Sequence, residues 1–314
     1  PGLEGAVRGR DPRLCAAMKL TLLGTGSPVP SAQKCSAGYM VKIGTDLILM
    51  DVGPGTVYRL VQAGRQVTDV THVFLSHLHF DHWLDLIRLV LNRWDMAAPG
   101  LPPLKIYGPK GLLEIVERLF GPDGALKLDL TARTKHPLSI GIYESRGGTG
   151  PRPWPELDVT ELRESDVIAG TGWTMRFANV PHTQPYLISF GMRLEDDRGV
   201  LAYSSDITCD PEKGAPKGLR DIAQDADVLI QYINVFGEAL VPHRREDSDR
   251  PEFHTMIAAM ARDARVDTMI TSHHGPHLDR PGIRERVIAD IAAIYPGKII
   301  WGEDLQQFTI GTSG

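Results

Sequence analysis

Seven consecutive residues, Ser76-His77-Leu78-His79-Phe80-Asp81-His82, hold three imidazoles and a carboxylate. With only 11 histidines among 314 residues, that density is poorly explained as a chance cluster on the surface. Imidazole nitrogen and carboxylate oxygen are the donors that borderline divalent ions such as zinc prefer, and a mixed set that leaves a position for water suits catalysis better than structure. In an extended segment His77 and His79 point the same way, whereas Asp81 and His82, entering a helix, turn toward a neighbouring position. One stretch can therefore feed two metals. Two metals about 3.5–4 Å apart can share a water, lower its pKa toward neutrality and hold it opposite a leaving group, which is hydrolysis without a nucleophilic side chain.

The HxHxDH pattern formed by His77, His79, Asp81 and His82 resembles the metallo-β-lactamase superfamily, whose signature it matches at every specified position. The resemblance implies an α/β fold, the four-layer αββα metallo-β-lactamase sandwich, as a single domain. It implies that His77, His79 and a later histidine hold one metal, that Asp81, His82 and another histidine hold the second, and that an aspartate bridges the two. Two Zn2+ ions are the expected cofactors, with Mn2+ or Fe as the other candidates. A search for His or Asp directly after an apolar strand finds three partners in the expected order. They are His182 after Val180-Pro181, Asp206 after Tyr203-Ser204-Ser205, and His273 after Met269-Ile270-Thr271-Ser272. The bland alternative for His182 is a capping or core histidine. At the last position His273, His274 and His277 crowd together; alignment of the preceding strand favours His273 and leaves His274 as a group supporting the ligands from behind. Asp51 has two open roles, orienting a ligand from behind as a superfamily aspartate does at this place, or forming an Asx turn before Gly53 and Gly55.

Leu23-Gly24-Thr25-Gly26-Ser27-Pro28, Tyr107-Gly108-Pro109-Lys110-Gly111, Phe253-His254-Thr255 and Glu303-Asp304 resemble the ribonuclease Z branch. That branch includes transfer-RNA 3′ processing enzymes, phosphodiesterases and arylsulfatase-like hydrolases. Two departures argue against transfer-RNA processing. Only 23 residues separate His182 from Asp206, too few for the long basic arm with which the branch grips RNA. The branch's His-Glu-Ala segment is matched by Gln231-Tyr232-Ile233, so Tyr232 replaces the glutamate that supports the histidine matched by His254. His254 is then either a proton donor without its carboxylate or a surface histidine at a helix start with no role.

The formal net charge of −5 offers no broad basic footprint for phosphate backbones. The expectation is accordingly a dinuclear hydrolase that cleaves a small-molecule ester (a sulfate or phosphate ester, a lactone or a carboxylic ester), with Asp81, Asp206 and His254 as catalytic residues and nucleic acid not expected as a partner. The alternatives are a ribonuclease Z-type endoribonuclease acting on transfer-RNA precursors and a non-catalytic metal-binding relative. Dimers are common in the branch, and a homodimer is expected. No apolar run approaches the roughly 20 residues of a membrane span.

These side chains need strand ends to sit on. Residues 19–23 read as a strand, and 39–43 with 47–50 as a hairpin whose second arm runs into Asp51. Residues 73–75 form a short buried strand, after which Trp83, Ile87, Val90, Leu91 and Trp94 repeat at helical spacing. A strand at 105–107, a helix at 112–120 and a Gly/Pro-rich surface loop at 147–155 follow. Paired strands at 188–193 and 200–203 precede strands at 228–231, 268–271 and 298–301, separated by helices at 255–262 and 283–294. Hairpins early and single crossings late describe a mixed sheet system covered by helices, with no linker inside residues 18–314. Residues 1–17 read as an extension outside the fold. The start at Pro1 is compatible with a cleaved targeting peptide or a trimmed chain, so the cytoplasm is expected unless an upstream signal has been removed. Cys15, Cys35 and Cys209 form no CxxC pair, which argues against a disulfide framework and a thiolate metal site.

Overall fold

A computed structural model describes residues 17–97, 99–233 and 252–311, so the expected N-terminal extension lies, but for its last residue, outside the described residues. The first sheet contains β1 (Met18–Gly24), β2 (Gly38–Ile43), β3 (Asp46–Val52), β4 (His72–Phe74), β5 (Leu104–Gly108) and β6 (Leu157–Glu161). The second contains β7 (Val167–Gly170), β8 (Trp173–Asn179), β9 (Phe190–Asp196), β10 (Val200–Tyr203), β11 (Val228–Tyr232), β12 (Thr268–Ser272) and β13 (Lys298–Trp301). A last strand, β14 (Gln307–Ile310), returns to the first sheet beside β1. Each sheet is antiparallel on one side and parallel on the other, with β3 to β6 parallel in the first and β10 to β13 parallel in the second.

Parallel neighbours need crossovers, and helices supply most of them. On the first sheet these are α1 (Thr56–Gln62), α2 (Phe80–Trp83), α3 (Leu86–Met96) and α4 (Leu112–Phe120), followed by the helical pair α5 (Lys127–Lys135) and α6 (Pro137–Ser145). On the second they are α7 (Lys217–Ala223), α8 (Phe253–Asp263) and α9 (Ile283–Ala292). Alternation along each strand divides its side chains between two faces. In β3, Ile48 and Met50 join the layer between the sheets, whereas Leu47 and Leu49 face α1, α3 and α4. Both faces are buried, which explains the unbroken apolar run.

Three buried clusters result. Leu20, Ile48, Phe74, Phe190, Leu201 and Ile270 meet between the sheets. Leu60, Leu89, Leu112 and Ile106 fill the outer layer of the first sheet, and Leu219, Ile257, Met269 and Ile291 that of the second. At about 1.5–3 kcal/mol for each large side chain removed from water, these layers hold the sandwich together. The four-layer αββα arrangement expected from the resemblance is the one the chain adopts, as one domain. Among the described residues no helix is long and apolar enough to cross a membrane.

Candidate metal centre

The parallel strands of the two sheets deliver their carboxyl ends to the same rim, where loops can carry chemistry on a rigid base. Asp51 is the penultimate residue of β3, the Ser76–His82 stretch follows β4, His182 follows β8, Asp206 follows β10 and His273 follows β12. Three of these loop entries are left-handed at non-glycine residues, Asp51 at φ 58°, Ser205 at φ 56° and His273 at φ 63°. Such backbone costs on the order of 1–2 kcal/mol per residue and persists only where surrounding structure imposes it. Gly53 lets the Asp51 loop close on the histidine loop, because a Cβ there would lie 2.0 Å from the carbonyl oxygen of Asp81.

Seven side chains converge. His77 Nε2 lies 3.0 Å from His79 Nδ1, which lies 3.1 Å from His182 Nε2. His273 Nε2 lies 3.1 Å from Asp81 Oδ2 and 3.3 Å from Asp206 Oδ2. His82 Nε2 is 3.3 Å from Asp206 Oδ1 and 3.5 Å from Asp81 Oδ2, and His182 Nε2 is 3.8 Å from Asp206 Oδ2. Asp206 thus faces both sub-clusters, one made of His77, His79 and His182 and the other of Asp81, His82 and His273.

Behind the cluster, Asp51 acts as a fully buried acceptor. Its carboxylate accepts from Ser76 N, Ser76 Oγ and Tyr203 OH, each at 2.7 Å, and meets His82 Nδ1 at 2.7 Å. Because Asp51 Oδ2 already accepts from Ser76 Oγ and Tyr203 OH, His82 donates to it through Nδ1 and turns the Nε2 lone pair inward. The Ser76 hydroxyl, already donating to Asp51, accepts from His77 Nδ1 at 3.1 Å, and Nε2 of that ring also points inward. Of the two roles open to Asp51, the geometry is that of orienting a ring from behind.

The donor set fits divalent cations. His82 Nε2 and Asp206 Oδ1 are buried and have no hydrogen-bond partner, and a lone pair facing a carboxylate is tolerable only with positive charge between them. Burial lowers the pKa of His77 well below the ordinary imidazole range, with His82 beside it adding to the effect, and burial also lowers that of His182. Burial opposes ionisation of Asp206 and Asp81, but neighbouring imidazoles, His273 foremost, outweigh it and hold both below the usual carboxylate range. Burial likewise disfavours a charged His82, yet Asp206 and Asp51 raise its pKa well above the ordinary value. The pocket demands a cation at that nitrogen, and a metal meets the demand as well as a proton does.

His274 takes a different place. Its ring stacks on Trp301 with centroids 4.1 Å apart, and its Nε2 lies 3.0 Å from Thr271 Oγ1. Among the described residues neither His274 nor His277 joins a candidate cluster. His254 differs from both expectations. It is fully buried rather than on the surface, and it has carboxylate partners, Glu252 3.1 Å from Nδ1 and Asp290 3.1 Å from Nε2. Asp290 lies on α9, and no local pattern around Tyr232 signals it. Tyr203, whose hydroxyl crosses between the sheets to Asp51, also escaped sequence reasoning, although Ser76 and Ser205 could have been suspected from their places beside candidate ligands.

Comparison with known proteins bears on the fold and on the family. The profile of the metallo-beta-lactamase superfamily matches residues 35–215. Ribonuclease Z of Mycobacterium bovis (strain BCG / Pasteur 1173P2) is 28% identical over 299 residues, covering 93% of this chain and 98% of the relative. Among solved structures, the metallo-beta-lactamase fold protein YhfI of Bacillus subtilis is similar at TM-score 0.66 and 16% identity, covering 93% of this chain and 99% of that one. The short form of human tRNase Z is similar at TM-score 0.65 and 18% identity, covering 94% of this chain and all of that one, 100%. The expectation of a small-molecule substrate with nucleic acid set aside is corrected by the curated relative, whose name is that of a ribonuclease. Its physical weakness is that net charge sums the whole surface, whereas a polyanion reads only the part it touches.

Proposed function

We propose, from the premise that this chain belongs to the metallo-beta-lactamase superfamily, that it is an endoribonuclease of the ribonuclease Z type, cleaving a phosphodiester bond in a transfer-RNA precursor. Membership makes it a metal-dependent hydrolase, and similarity to ribonuclease Z along 93% of the chain is the observation that carries the reading to RNA.

The donors that would hold the cofactor are His77, His79 and His182 on one side and Asp81, His82 and His273 on the other, with Asp206 between. Their nitrogen and oxygen atoms suit zinc. When bound, the metal pair supplies a water activated near neutral pH and neutralises charge that builds on the phosphoryl oxygens. The protein's own part is orientation. Asp51 keeps the His82 proton on Nδ1, Ser76 keeps the His77 proton on its Nδ1, and both rings present Nε2 inward. Asp206, held ionised by the imidazoles around it, would sit between the two donor sets and accept a hydrogen bond from the water the metals would activate.

Incubating zinc-replete protein with a transfer-RNA precursor bearing a 3′ trailer tests the reading. Cleavage at one mapped junction by the wild type, and none by His79→Ala, is the expected result. Intact precursor beside protein whose measured zinc approaches two equivalents would overturn the assignment to RNA.

A further inference from the structure

The seven-residue cluster is shielded unevenly. His77, Asp81, His82, Asp206 and His273 are buried, whereas His79 and His182 are only partly covered. Substrate must approach from the side of those two rings. Each of the two segments that bear them also carries an aromatic ring into solvent. Phe80, directly after His79, is 53% exposed, and Tyr186, four residues after His182, is 88% exposed.

Tyr186 stands on a braced turn. Gln184 Oε1 accepts from His182 N at 2.6 Å, and Gln184 Nε2 donates to Val180 O at 2.9 Å. Tyr186 N donates to Thr183 O at 3.1 Å, closing the turn. The backbone at Tyr186 is thus fixed by hydrogen bonds, while its ring contributes almost nothing to the core. An uncovered aromatic ring on the loop that carries a candidate ligand is the kind of element single-stranded nucleic acid uses, since every base has a π-face to stack on it.

We infer that Tyr186 is a stacking platform for an unpaired nucleobase adjacent to the scissile phosphodiester, with Phe80 offering a second apolar contact from the neighbouring loop. The inference rests on the ribonuclease reading and assigns to Tyr186 binding rather than bond breaking. Its hydroxyl has no part in the stack, so the ring alone carries the effect.

Steady-state cleavage of an RNA hairpin with an unpaired 3′ extension, compared for wild type, Tyr186→Ala and Tyr186→Phe in the metal-replete protein, tests this. Tyr186→Ala should raise KM roughly 10-fold, the scale of one lost base stack, with kcat changed by no more than about twofold. Tyr186→Phe should behave as wild type. Replacing the nucleotide beside the mapped cleavage site with an abasic residue should bring wild type to the KM of Tyr186→Ala and leave the variant unchanged. Equal KM for wild type and Tyr186→Ala, or a full Tyr186→Ala defect on abasic RNA, would overturn the platform while leaving the ribonuclease reading intact. Failure of wild type to cleave any RNA would remove both.

Discussion

Two histidine–carboxylate assemblies lie in this molecule, and they are built in opposite ways. At the strand ends, five imidazoles and two carboxylates from separate loops turn nitrogen lone pairs and carboxylate oxygens toward one another. Between α8 and α9, one buried imidazole lies between Glu252 and Asp290, with a carboxylate 3.1 Å from each ring nitrogen. In the second arrangement His254 Nε2 meets Asp290 at hydrogen-bond distance, and a single imidazole is shared between two partly exposed carboxylates. In the first, acceptors and imidazoles from separate loops face one another, and His82 Nε2 and Asp206 Oδ1 have no hydrogen-bond partner. Each assembly brings ligand atoms within reach of an ion; what separates them is number, seven side chains at the strand ends against three between the helices.

Substitutions can break that contrast. Asp206→Asn should have the largest effect, lowering hydrolysis by on the order of 1,000-fold or more, because groups that act as a unit fail together. Metal content measured beside the rate should fall with it. Asp51→Asn leaves the inward donors in place but removes the acceptor that fixes His82, so metal affinity should weaken about 10- to 100-fold, read by competition with a chromophoric chelator. The smallest effect belongs to the helical assembly. Asp290→Asn should lower unfolding free energy by about 1 kcal/mol, since this carboxylate is partly solvated, and should leave metal content unchanged. Denaturant midpoints check the first part, and a loss of bound metal in Asp290→Asn would mean that the two assemblies are not independent.

How much of this was legible in the sequence depended on distance along the chain. The contiguous histidines declared themselves, and His182, Asp206 and His273 were found because each follows an apolar strand. The strands β6, β7 and β14 went unread for a physical reason, and β8 entered only as the strand without bounds that precedes His182. In β6 and β7 no residue is fully buried, and Asp158 and Ala169-Gly170 dilute the pattern. In β8 the inward set Trp173, Met175 and Phe177 alternates with Thr174 and Arg176, a period-two signal that was there to read. The partner of His254 was invisible because Asp290 lies 36 residues away on another helix. Helix packing, not local spacing, brings them together. Charge misled in a related way, since one sum over 314 residues says nothing of a single rim.

The division of the centre between two sheets has a consequence for synthesis. A ribosome releases His77, His79, Asp81 and His82 well before His273, which meets Asp81 across 192 residues of chain. Until β12 has emerged and docked, the early donors form only half of a cage. Closure of the second sub-cluster is therefore a late event in the birth of this protein, and a nascent chain arrested before β12 holds His77, His79 and His182 but leaves Asp81 and His82 without their last partner.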